Sequence, residues 1–446
     1  MAARLLTVGL AAALVTGACT SQSDSGATSA RGRPNAIPQP VVRNLEVAPV
    51  SERVDLTMPT FSDPTNITNQ LFPISRQGSV LLLGRVDDKP FRTEVSLLPD
   101  RRIIEWEGQR VETLVSQYVA YLDGRIHEVA FDFYAQADDG SVWYFGEDVF
   151  NFDDGVIVDT HGTWIAGKDG PAAMIMPADP KVGDVYRPEN IPGFVFEEVT
   201  VKSVDRTLDG PLGAVEGGLV IEELHMDGTT EDKTFAPGYG EFYTAGGGDL
   251  EALALAVPTD GLAGPPPSEL EILETGAVGI FDAVRSKNWN AASAMVEEMT
   301  AAWEAYRGGG VPKMIEPRTS RALEALAAAV EAHSVARASQ AAIDAAQWGL
   351  DLQLRHRPPL EIDLARFDLW LAQLQADAAA RDVAAVNGDF FTLDYIRDRI
   401  LHALDAAEVT PINTELEELH GAVGDRDLVA VADAAERLRA SLGGLP

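Results

Sequence analysis

From about residue 66 to residue 256, β-branched and aromatic side chains alternate with polar ones, and from residue 269 onward alanine dominates and the apolar spacing becomes helical. The first pattern is that of half-buried strands, the second that of amphipathic helices. In the strand region RVETLVSQYVAYL (110–122) and RIHEVAFDFYAQ (125–136) predict two long neighbouring strands, with Val129, Phe131 and Phe133 on one face; Trp143 and Phe145 share a face of the next strand. Asp-Gly punctuation recurs about every fifteen residues, at Asp123-Gly124, Asp138-Asp139-Gly140, Asp153-Asp154-Gly155 and Asp169-Gly170. Turn residues so spaced between strand-like runs predict consecutive antiparallel hairpins. A meander of that length buries its apolar face by curling into a half-barrel or closing into a barrel.

The helical region carries a repeat. Asn288, Ser334, Asp382 and Asp427 lie 46, 48 and 45 residues apart, and each is an N-cap type. A basic residue precedes each (Lys287, His333, Arg381, Arg426), an apolar one follows, and a large aliphatic stands eight positions before (Ile280, Leu326, Leu374, Leu419). One unit is a helix, a tight turn whose basic residue suits the first helix's C-terminus, a cap and a second helix, so four units predict eight helices in four hairpins. The pattern leaves open whether they stack as a solenoid or close into a bundle. His333 fills a place that Lys or Arg takes elsewhere, which makes it a turn residue rather than a metal ligand.

The chain is therefore α+β and multidomain. A β-rich domain over 46–257 is followed by a Pro/Gly linker over 258–268 and a helical repeat domain over 269–446, and the division near Leu262 predicts two halves that fold separately. Ahead of them, MAARLLTVGLAAAL (1–14) has the basic start and short apolar run of a secretory signal, assigned to 1–18. VTGACT (15–20) resembles the bacterial lipobox, although Thr16 stands where Leu is usual. That resemblance implies cleavage before Cys19, the only cysteine of the 446 residues, and a covalent lipid on it, so that the membrane is a partner through this anchor. Residues 19–45, rich in Ser, Gly and Pro, read as a flexible tether. With no second cysteine there are no internal disulfides, and stability must come from the cores.

Lys and Arg number 35 against 69 Asp and Glu, a formal charge of −34. Nucleic acid is excluded as a partner, because its binding needs a basic surface. Divalent cations and cationic partners are compatible with it.

Two constellations carry candidate chemistry. If both Asp-Asp-Gly segments are three-residue loops, strand partners sum to 278 in the first hairpin and to 308 in the second, so that Glu147, Asp159 and His161 converge on one face. Such a group is either a structural ion pair or a metal or acid–base site. Two-residue Asp-Gly loops would shift each register by one and dissolve it. The second constellation is a break in the helical repeat. Five positions before the cap, alanine in three units gives way to Asp377; seven after it, Ala341, Ala434 and Met295 give way to Asp389; three after it, alanine gives way to Arg337. Asp377 and Asp389 are nearly equidistant from one turn and should be neighbours at an apolar seam. Either Arg337 pairs with both, or they hold a divalent cation, with Asp394 or His402 in support.

WYFGED (143–148), GTWIAGKDG (162–170), MPADPKVGDVYRPE (176–189) and NITNQLFPISRQGS (66–79) resemble a family of uncharacterised exported bacterial proteins over residues 60–245. The resemblance implies no particular activity. No HExxH, Gly-rich phosphate loop or nucleophile elbow is present, so no residue is assigned as catalytic. The expectation is a membrane-anchored, exported, non-enzymatic binding or scaffold protein whose helical domain meets a protein partner. The alternatives are a carrier of an apolar ligand in the β domain and a divalent-metal-binding protein. An open apolar concavity would favour the carrier, a filled interior the scaffold.

Overall fold

The structure, a computed structural model, describes residues 45–442. The expected leader, Cys19 and the tether as far as residue 44 lie outside the described residues.

One antiparallel sheet of fourteen strands takes up the first half. Its strands are β1 (Ser79–Val86), β2 (Lys89–Trp106), β3 (Gln109–Leu122), β4 (Arg125–Gln136), β5 (Val142–Asp153), β6 (Val156–Asp159), β7 (Trp164–Ile165), β8 (Ala173–Met176), β9 (Val185–Ile191), β10 (Val195–Gly210), β11 (Gly213–His225), β12 (Thr230–Ala236), β13 (Gly240–Gly246) and β14 (Asp249–Val257). β1 pairs with both β2 and β14, so the first strand lies mid-sheet and two meanders run outward from it, one to β6 and the other back through β13 to β9. β7 and β8 both pair with β5. The sheet curls until β8 touches β9, but no ladder joins them; the barrel does not close.

The turns explain the meander. Asp123-Gly124 and Asp154-Gly155 are two-residue links whose four residues all have positive φ, the geometry that matches strand twist in a hairpin. Asp169-Gly170 differs from the expected hairpin and belongs to a tight loop, with Gly167 N–H donating to the Gly170 carbonyl at 2.8 Å. Residues ahead of β1 pack against the sheet, burying Ile67, Phe72 and Ile74, with the Phe72 ring 5.0 Å from that of Tyr134.

The helices are α1 (Ser268–Arg285), α2 (Trp289–Tyr306), α3 (Glu316–Glu331), α4 (Val335–Gln353), α5 (Pro359–Ala380), α6 (Val383–Ile400), α7 (Ala406–Gly424) and α8 (Leu428–Leu442), four hairpins turning at the repeat positions. Lys287, His333, Arg381 and Arg426 all have φ between 51° and 61°. In every unit the cap's N–H reaches the carbonyl five residues back, at 2.8–3.1 Å, which ends the helix through a left-handed residue. Asn288, Asp382 and Asp427 cap the following helix through their side chains; Ser334 does not. The eight helices enclose two cores, one within α1–α4 and one within α5–α8, with α4 and α5 in contact.

Strand β14 ends at Val257 and α1 begins at Ser268, and the two halves on either side share a core. Leu81, Leu83, Leu255 and Val257 of the sheet join the α1–α4 cluster, and Val119, Tyr121, Ile126 and Val129 pack with Tyr395 of α6. Through this interface runs a buried ionic network. Glu94 accepts from Arg92 (2.7 Å) and Arg399 (2.9 Å), Asp351 from Arg92 (2.7 Å) and Arg366 (2.8 Å), and Asp363 lies 3.3–3.4 Å from Arg366 and Arg399. Three carboxylates balance three guanidiniums. Independent folding of the halves no longer follows, since parting them would strand these charges.

Candidate ligand-binding cleft

Glu147, Asp159 and His161 do not converge. The first loop does have three residues, and its register of 278 holds from Gln136–Val142 to Tyr134–Tyr144. Beyond that a bulge slips the ladder, so that Glu147 faces Asp132. Gly146 makes the bulge: its φ is +111°, and a Cβ there would lie 2.0 Å from the Trp164 carbonyl oxygen. The second loop has two residues and pairs Asp153 with Val156. His161 and Asp159 are consequently exposed, Asp159 accepting from Asn151 (2.7 Å) and the His161 N–H (2.9 Å), while Glu147 is fully buried opposite Trp164.

Asp377 and Asp389 do meet across the α5–α6 hairpin. Burial, and then the charge of Asp377, with which it shares a hydrogen bond, push the Asp389 carboxyl well above the usual range. Its Oδ2 finds no other partner. Arg337 does not join them: it is exposed and makes no ion pair among the described residues. Glutamines take the place foreseen for it. Gln373 donates to Asp377 (2.8 Å), Gln373 and Gln340 exchange bonds of 2.9 Å, and Gln340 donates to Asp344 (3.0 Å). Asp394 pairs with Arg397 (3.2 Å) and His402 is exposed, so neither adds a third ligand.

This carboxyl pair lines a cleft of about 320 Å³ between the sheet and the helices, a volume and a location usual for small-molecule sites. Trp348 and Trp370 line it too, Trp370 stacked on Tyr121 at 5.4 Å and Trp348 lying 5.7 Å from the Arg92 guanidinium. Of the three arginines that line it, Arg92 belongs to the interface network, Arg125 pairs with Asp382 (2.8 Å), and Arg318 is the third. It donates to the Met314 carbonyl (2.7 Å) and has no carboxylate partner among the described residues. Burial, then the charges of Arg321 and Arg92, lower its pKa. The cleft thus offers acids at Asp377–Asp389, flat apolar faces at the indoles and a free cation at Arg318.

The concave side of the sheet is different. Its cavity among Phe72, Leu82, Tyr118 and Asp132 is about 40 Å³, room for a water molecule or so. Comparison with known proteins finds no family model that matches the chain and no curated protein significantly similar to it. Among the described residues no helix is long and apolar enough to cross a membrane.

Proposed function

We propose that the chain is an exported, lipid-anchored binding protein that holds a small zwitterion, an amino acid or short peptide, in the cleft between its sheet and its helices. The observation that carries this reading is the pairing of opposite unmet charges across one aromatic cleft. Asp389 with Asp377 suits an ammonium group, Arg318 a carboxylate, and Trp348 and Trp370 the body between them. Anchoring rests on the short apolar run ahead of Cys19. The apolar-carrier reading gains little support from an interior as filled as this one.

Native mass spectrometry of protein extracted from its own host membranes tests both halves. The expected species is a chain beginning at Cys19, heavier by its acyl chains, with a small zwitterion retained. An unprocessed chain contradicts the anchor, and a retained lipid in place of the zwitterion contradicts the cleft.

A further inference from the structure

On the concave face, β9 to β12 bring together four carboxyl groups, one imidazole and one ammonium. Glu189 stands opposite Glu197, Glu197 opposite His225, and Glu223 opposite Glu231. Like charges directly opposite on neighbouring strands repel, and burial removes the water that would screen them. Both carboxyl pairs are buried: Glu189 is 0 % exposed, Glu197 1 %, Glu223 2 % and Glu231 6 %.

Lys233 meets part of this charge, its Nζ lying 2.5 Å from Glu223 and 3.3 Å from Glu231. His225 meets another part, with Nδ1 3.3 Å from Glu197 and Nε2 3.5 Å from Glu231. Oxygens remain without a donor. Glu189 Oε1 accepts from Trp164 at 3.3 Å, but its Oε2 has no hydrogen-bond partner, and neither has Glu197 Oε2. Lys233 is the one fixed cation among these four carboxyl groups. A divalent cation bound through the neutral imidazole would offset negative charge that Lys233 leaves unmet.

Geometry selects where it sits. One ligand atom each from Glu223, His225 and Glu231 lies within 4.8 Å of the other two, and among the described residues no other group of three such side chains comes so close. We infer that Glu223, His225 and Glu231 bind a divalent transition-metal cation of the Zn²⁺ or Mn²⁺ kind, with Glu197 behind His225 as its orienting partner. One imidazole with two carboxylates is a donor set for such ions rather than for Ca²⁺ or Mg²⁺, which take oxygen alone. Glu197 at Nδ1 holds the ring so that Nε2 faces Glu231, the usual outer partner of a ligating histidine. His225, 18 % exposed at the end of β11, leaves the ion a route in and water for its remaining positions.

The test uses the full chain freed of metal by chelator and dialysis. Added Zn²⁺ or Mn²⁺ should raise the melting temperature saturably, and Co²⁺ should give a visible absorption band of nitrogen and oxygen ligation. His225→Gln and Glu231→Gln should each weaken binding by at least ~10-fold, Glu197→Gln by about 10-fold or more, and Asp377→Asn should leave it unchanged. No saturable binding by the parent protein overturns the inference, as does equal binding by the His225 and Glu231 variants. Should those variants fail to fold, the absence of a Co²⁺ band in the parent protein overturns it alone. Zwitterion binding in the cleft is read separately, so either proposal can fail without the other.

Discussion

Replacing Glu94 with alanine should cost about 3–5 kcal/mol of stability, the penalty of breaking a buried ion pair by removing one partner. Glu94 is 2 % exposed at the centre of the interface network. Burial alone would raise its pKa, but the guanidiniums of Arg366, Arg92 and Arg399 outweigh that and hold it well below the usual range. Its removal leaves three buried guanidiniums facing two carboxylates, Asp351 and Asp363. Arg92 comes from β2, Arg366 and Arg399 from α5 and α6, so the loss falls on both halves together. Urea unfolding should show one transition moved to lower denaturant, read alike by circular dichroism of strands and of helices. A change under 1 kcal/mol, or loss of the helical signal alone, contradicts a shared core.

The second large effect is of pH, measured with chelator present. On the concave face burial, followed by the charge of Asp159, raises Glu128 to about 7, and burial followed by Glu128 raises Asp132 to about 8 against the hydrogen bond from Tyr144. Glu147, Glu189 and Glu251 are pushed up by burial and neighbouring acids as well. A carboxyl whose pKa is raised on folding binds its proton more tightly in the folded state. Its contribution is complete below the unfolded value and disappears as pH rises through the folded one. Stability should therefore fall by several kcal/mol between roughly pH 5 and pH 8. Glu94, held low, and Glu223, lowered to about 2 because Lys233 outweighs burial, act in the opposite sense: their stabilisation is lost as pH falls below about 4.5. Melting temperature should peak near pH 5. A maximum at or above pH 8 would mean that these acids are ionised in the folded protein and neutralised by some other means.

What could be read from the sequence was what local chemistry determines. Asp-Gly turns and period-two alternation announced the hairpins, and four aligned caps announced the helical units, since each depends on residues close in the chain. Asp377 and Asp389 were legible for the same reason: the repeat let the chain be compared with itself, and a hairpin brings equidistant positions together. The second β hairpin failed on one residue of loop length, which reverses a strand's facing, and the Gly146 bulge reversed it again for Glu147. Arg337 failed because the phase of α4 is set by packing against other helices. The ionic network was hidden by distance, Arg92 lying 259 positions from Asp351 and Glu94 305 from Arg399. One hint was available. Asp363 and Arg366 share the apolar stripe of α5 with Phe367 and Leu371, a place where charges are found only when paired.

The cleft is tested most directly by its own fluorescence, since Trp348 and Trp370 line it. Dialysed protein is titrated with the standard free L-amino acids and simple dipeptides, alongside their N-acetyl and amide counterparts. At least one zwitterion should change the emission saturably, and its blocked counterparts should not. Arg318→Met and the double variant Asp377→Asn, Asp389→Asn should each weaken that binding at least ~10-fold, as a hydrogen bond to a charged group is worth about 1.5–3 kcal/mol. No response to any zwitterion at millimolar concentration, or equal binding by the parent protein and both variants, would contradict the account.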